Sequence, residues 1–178
     1  MKQITVPAPE ELSPETQQLF EQMKKRLGRV PNLYATMGYS SHALKAFMDI
    51  EADLIGGAFN GKQREAIALM VSEVNHCEYC LAGHTVAAIK QRLTMEDTLD
   101  IRRGQSSDEK IKAIVQLAKA VAETRGYPAP ELVDNFYAAG FDEGALMELI
   151  GLVVVRIYTN YVFAMTRIPI DFPAAAAL

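Results

Sequence analysis

The chain has no tryptophan, only two cysteines and three histidines among 178 residues, and no surplus of basic charge. Each shortage excludes something. Eighteen Lys and Arg against 22 Asp and Glu leave a formal charge of −4 with the signs interspersed, so no basic face is offered to a phosphate backbone. Nucleic acid is not an expected partner. No uncharged apolar run approaches the roughly 18 residues of a membrane span. The most apolar stretch, 145–165, is interrupted by Glu148 and Arg156, and reads as a buried helix with no membrane partner. The opening MKQITVPAPEELSPETQ lacks the apolar core of a secretory signal and carries acids that a transit peptide avoids, which predicts a cytoplasmic location.

What remains is ordinary globular composition, 49% hydrophobic and 22% charged, enough for one domain with its own core. Residues 1–13 read as a Pro-rich arm, 14–168 as the folded domain, and 169–178, with Pro169 and Pro173, as a non-helical tail. Ser13 followed by Pro14 is an N-cap with proline at the first helical position, and opens a helix to about Leu27 that GRVPNLY ends. Further helices are expected over about 40–55, from 61 onward, at 94–101, from a cap at Ser107, Asp108 or a neighbour to the break at Gly126–Pro128, at 130–138 and at 142–166. No segment alternates as a strand, so the expected fold class is all-α. The apolar stretch 145–165 and the arm together suggest more covered surface than one small domain needs, hence a homo-oligomer.

A weak internal likeness joins FNGKQREAIALMVSEV (59–74) to FDEGALMELIGLVVVR (141–156), each running from Phe and an Asn or Asp into a long apolar helix. Asn160 and Phe163 then stand near the places where the first stretch has Cys77 and Cys80.

Both cysteines and two of the three histidines fall within SEVNHCEYCLAGH, residues 72–84. On a helix, residues three, four and seven apart share a face, so Cys77, Cys80 and His84 can point the same way. Asn75 with Glu78 resembles a capping box and predicts a new helix with Cys77 in its first turn. A helix N-terminus and an adjacent histidine both lower a thiol pKa, so reactive, oxidisable thiols are expected. Such parts suit a cycle in which one thiolate attacks a peroxide, becomes a sulfenic acid and condenses with its neighbour to a disulfide. His84 is the candidate base. A carboxylate would orient it, and Glu65 and Glu73 compete for that place. A single straight helix over 65–84 favours Glu73, whereas a break at Asn75 allows either.

The spacing Glu65–x11–Cys77–x2–Cys80–x3–His84 resembles the signature of the alkylhydroperoxidase D-like branch of the carboxymuconolactone decarboxylase superfamily, and its peroxidase-related members most closely. The similarity extends to GRVPNLYATM before the site and TRIPIDFP after the last long helix. The resemblance implies an all-helical fold that assembles into trimers or hexamers, and reduction of small organic hydroperoxides without a bound cofactor or metal. It also implies a thiol protein or lipoyl-bearing protein as reductant. By position it assigns Cys80 as the attacking thiol, Cys77 as the resolving thiol, His84 as the base and Glu65 as the acid behind it. The family's type member has a histidine where this chain has Tyr79.

Other readings of the same residues compete. Cys77, Cys80, His84 and His76 are ligand types that suit zinc, but a structural zinc is normally closed from separate segments. His84 and Glu65 alone could do acid–base work on a lactone, as the decarboxylase branch does, although that chemistry needs no second thiol. A helical oligomer whose thiols only sense oxidation is the third. Leu146, Leu149, Leu152 and Val153 read as core, and half-buried packing is the expected role of Tyr79, Tyr158 and Tyr161.

Overall fold

The computed structural model describes residues 3–178 and is all-helical, with nine α-helices and one short 3-10 turn among the described residues. They are α1 Pro14–Leu27, α2 Asn32–Met37, α3 Ser41–Ile55, α4 Gly61–Val74, α5 Glu78–Lys90, α6 Met95–Arg102, α7 Glu109–Thr124, α8 Pro130–Ala138 and α9 Glu143–Thr166. Side-chain caps set most of the starts. Ser13 Oγ accepts from the Thr16 N–H at 3.2 Å, Asn60 Oδ1 from the Gln63 N–H at 3.1 Å, and Asp142 Oδ1 from the Ala145 N–H at 2.8 Å.

α4 is the hub and packs against α5, α6, α7 and α9. Its residues Ala66 to Ser72 are all buried, as a helix apolar on every side must be. One core cluster joins Ile67 and Val71 of α4 to Ile114 and Leu117 of α7, Phe136 of α8, and Leu149 and Leu152 of α9. A second gathers Phe20 and Met23 of α1, Met37 of α2 and Leu44 and Phe47 of α3 around Val155 of α9. The site grows out of a small cluster between them: Leu33, Cys77, Tyr79, Cys80 and Ile168.

Three expectations change. The segment after α1 is not only a connector, because Asn32–Met37 forms a helix whose Leu33, Ala35, Thr36 and Met37 are buried. The stretch 145–165 is buried on one face only: Leu149, Leu152 and Val153 are core, while Met147, Val154, Tyr161 and Met165 are 57–80% exposed. By length and composition α9 passes as a membrane span, with a mean hydropathy of 1.5. The buried Arg156 and Asn160, and packing against α2, α3, α4, α5 and α7, make it a core helix instead. The third change concerns residues 75–78 and makes the site.

Candidate active site

Asn75 does not start the cysteine helix; it closes α4. His76 follows in the left-handed conformation, φ 50°, with its N–H donating to Glu73 O at 3.0 Å, and the Cys77 N–H reaches back to Ser72 O at 2.9 Å. These two bonds satisfy the last carbonyls of α4 in the manner of a Schellman cap, with histidine where glycine is usual. The turn leaves Cys77 at the N-cap of α5 rather than inside its first turn, and Glu78 at the first helical position. The Cys77 sulfur accepts from the Cys80 N–H at 3.3 Å, so the two thiols face each other across one turn.

Both thiols are buried, at 2% and 4% exposure, but their electrostatics diverge. The Cys80 thiol is brought down to about 7 by the hydrogen bond from Cys77, by the charge on His84, and by the side chains of Asn160 and Thr159, all acting against burial. The Cys77 thiol is pushed up, because it donates that hydrogen bond and because burial penalises its charge. The helix-start N–H of Cys80 still favours charge on the Cys77 sulfur, but the thiol hydrogen bond and burial outweigh it.

The glutamates separate. Glu65 Oε2 lies 2.8 Å from His84 Nδ1, one on α4 and the other on α5. Burial raises the Glu65 pKa, yet the charge and hydrogen bond of His84 outweigh it and hold the carboxyl below its ordinary value. Glu73 points away and accepts from Arg102 Nε at 2.7 Å. Neither His76 nor His42 joins the site, and both are exposed. Among the described residues no group of three or more His, Cys, Asp and Glu is placed to hold a metal ion.

Four contributors escaped the sequence reading. Thr159 and Asn160 come from α9, where Asn160 Oδ1 accepts from Asn75 Nδ2 at 3.0 Å and so ties α9 to the corner that makes the thiol pair. Asp171 comes from the tail. It accepts from the Tyr79 hydroxyl at 2.5 Å and from Arg29 Nη1 at 2.6 Å, while Tyr79 accepts from the Leu33 N–H at 3.1 Å. Tyr79, in the position next to Cys80, thus fastens the tail over the site, and Phe172 packs edge-on against its ring. Arg156 is the fourth. Only Asn160 had any signal, through the weak internal likeness; Tyr158 and Tyr161 stay out on the exposed face of α9.

A cavity of about 400 Å³ opens on this assembly. Cys80, His84, Glu65 and Thr159 line it together with the apolar Leu33, Tyr34, Leu152 and Phe172, whereas Cys77 does not reach it. One thiol is thus presented to a small molecule and the other stands behind it.

Three solved structures share this fold. An uncharacterized peroxidase-related protein from Silicibacter sp. TM1040 is 23% identical, with a TM-score of 0.78 over 98% of this chain and 94% of its own. The alkylhydroperoxidase AhpD core of a peroxidase-related protein from Ralstonia eutropha JMP134 is 17% identical, with a TM-score of 0.78 over 90% and 87%. The debrominase Bmp8, solved in complex with 2,3,4-tribromopyrrole, is 20% identical, with a TM-score of 0.81 over 96% and 92%. No curated protein matches the chain. Residues 41–123, which carry Glu65, Cys77, Cys80 and His84, match the carboxymuconolactone decarboxylase family. That segment is similar to the carboxymuconolactone decarboxylase family, and the helices around it have the alkylhydroperoxidase D-like fold of the solved structures.

Proposed function

We propose that the protein is a cysteine-based peroxidase that reduces small organic hydroperoxides through a Cys77–Cys80 disulfide. One observation carries the reading: of two thiols in contact, the one with the lowered pKa is the one that faces the cavity. The Cys80 thiolate attacks the outer peroxide oxygen, the O–O bond breaks, and the leaving alkoxide takes a proton from His84, which Glu65 orients. The Cys77 sulfur then attacks the Cys80 sulfenic acid, gives its proton to the relay, and expels water as the disulfide closes. A dithiol or lipoyl-bearing protein returns the two electrons, and no bound cofactor or metal takes part.

We further place the enzyme in the cytoplasm as a homo-oligomer, trimer or hexamer. The row Met147, Val154, Tyr158, Tyr161 and Met165 on α9 supports this, because so long an apolar stripe is rarely left in water. A clean monomer at micromolar concentration by light scattering would remove that part.

A second reading uses the same electrons. A thiol pair can convert a carbon–bromine bond to C–H with release of bromide and a disulfide, and the apolar cavity wall and the debrominase of like fold favour offering a bromopyrrole beside the hydroperoxide. The direct test is the intact mass of the reduced, chelator-treated protein before and after one equivalent of each compound. Loss of about two mass units with an alkyl hydroperoxide supports the peroxidase. Loss only with the bromopyrrole selects the second reading, and loss with neither rejects both.

A further inference from the structure

The cavity wall has a charge pattern that peroxide reduction by itself does not require. The protein as a whole is acidic, yet five cations line the cavity, Arg26, Arg29, Arg64, Lys90 and Arg156, against the carboxylates of Glu51 and Glu65. Both carboxylates are already engaged, Glu51 with Arg156 and Glu65 with His84. Arg29 is neutralised by Asp171. Arg64 is held by the backbone carbonyls of Ile55 and Phe59, which orient its guanidinium without offsetting its charge.

Arg156 is the informative one. It projects from α9 one turn before Thr159, about 5 Å along the axis from the residues that touch Cys80. Its side chain is 7% exposed, its Nη2 donates to Glu51 Oε1 at 2.5 Å, and its Nε has no partner among the described residues. A buried ion pair is costly to keep, and an apolar pair of similar volume is often as stable. The unpaired Nε is closed off from the cavity, so an arriving anion meets the guanidinium only where its small exposed part reaches the wall. The remaining wall, Leu33, Tyr34, Leu152 and Phe172, suits a hydrocarbon body.

We infer that the substrate is a hydroperoxide bearing a carboxylate, whose acid group is met by Arg156 with Arg64 and the rim cations Lys90 and Arg26, while its peroxide reaches Cys80. The inference rests on the peroxidase reading and names its substrate class. The reaction is the same thiol-to-disulfide oxidation, and the product is the corresponding hydroxy acid. Positive charge focused in a low-dielectric cleft raises the local concentration of anions, an effect that salt weakens.

The test compares two alkylating agents of nearly equal size, iodoacetate and iodoacetamide, on the reduced protein, with the modified cysteine located by mass. It needs only a Cys80 thiolate and an open cavity, not turnover. The iodoacetate-to-iodoacetamide rate ratio at Cys80 is expected to exceed that of glutathione by on the order of ten-fold at low salt and to approach it in molar salt. The double variant Glu51→Gln/Arg156→Gln, which removes the buried pair in balance, should lower the ratio. Lys90→Gln with Arg26→Gln, both on the exposed rim, should lower it also and serves if the buried variant does not fold. A ratio equal to that of glutathione in the intact protein overturns the inference. Cumene hydroperoxide, which is neutral, is assayed in parallel. Oxidation by it with no charge preference in alkylation leaves the peroxidase standing and sinks the acid-bearing substrate. A strong preference for iodoacetate with no reaction toward any hydroperoxide overturns the hydroperoxide half of the inference, and with it the reading on which it rests.

Discussion

The α4–α5 segment and α9 begin alike and end differently. Each opens with an amide or acid cap after a Phe, Asn60 in one and Asp142 in the other, and each runs on as an apolar helix that contributes to the core. The first stops after 14 residues, turns through the left-handed His76 and restarts with Cys77 as its cap. The second continues unbroken for 24 residues. The break creates a helix start that holds two thiols in contact, and the unbroken helix adds fixed donors, Thr159 and Asn160, to the larger effects of Cys77 and His84 that lower the Cys80 thiol. Reactivity and rigidity are divided between two pieces of similar pattern, as a preorganised site requires.

The hardest way to break that division is at the thiols. Cys80→Ser should abolish peroxide consumption, and Cys77→Ser should allow one oxidation and then stall at a sulfenic acid that dimedone traps. Full turnover in Cys80→Ser would reject the roles given to the two thiols.

Next comes the relay between α4 and α5. His84→Ala should slow hydroperoxide reduction by roughly 10²-fold, the lower end for a lost acid–base group. The sign with pH is fixed by Cys80. Its thiolate fraction rises as pH passes through about 7, so alkylation by iodoacetamide should rise over that range. Without the charge on His84 the midpoint should move upward, and an unmoved midpoint rejects the relay. Glu65 adds a stability effect of opposite placement. Its folded pKa is depressed, so its contribution is present above the ordinary carboxylate value and is lost as pH falls through the folded one. Glu65→Gln protein should therefore lose less stability on acidification than the parent, measured by urea unfolding from neutral pH downward.

How far this division could be read from the sequence follows from where its signals lie. The Cys77–Cys80–His84 spacing is local, and so are the Ser13 cap and the helix starts near Asp108 and Asp142. The corner at Asn75 was misread for a physical reason: asparagine suits a helix start and a helix end equally, and the left-handed residue that would have marked an end is histidine rather than glycine. α2 is only six residues long, and tertiary burial of Leu33 and Met37 sustains it rather than any helical period. The choice of Glu65 over Glu73 needed the packing of α6, because Arg102 is what draws Glu73 away. Asp171 stands 92 positions from the Tyr79 hydroxyl it receives, and no local pattern reports such a pair.

The tie between the two regions predicts a smaller effect. Asn160 accepts from Asn75 and donates to Ser72 Oγ at 3.4 Å, so Asn160→Leu strands the buried Ser72 hydroxyl and leaves the Asn75 amide with Val71 O alone. The cost should be about 2–3 kcal/mol in urea unfolding, and the Cys80 midpoint should rise because a donor to its sulfur is gone. A loss of stability with no change in the midpoint would mean that Asn160 holds the corner without tuning the thiol.

The smallest effect sharpens the comparison instead of breaking it. His76 is the one residue that α9 has no counterpart for, since at the same stage α9 simply continues. A left-handed histidine costs roughly 1–2 kcal/mol relative to glycine, and its exposed side chain returns little by packing. His76→Gly removes that strain but gives the unfolded chain more freedom, so the net gain should be about 0.5 kcal/mol, or one to two degrees in Tm for a chain of this length. Peroxide reduction should be unchanged, because the corner keeps the same two backbone bonds, from His76 and Cys77 to Glu73 and Ser72. A gain in stability with a lower rate would show that the corner's stiffness, supplied by a residue with restricted backbone freedom, holds Cys77 against Cys80. A clear loss of stability would mean that the imidazole of His76 makes a contact worth more than the strain, and that the break is held by its side chain as well as by its backbone.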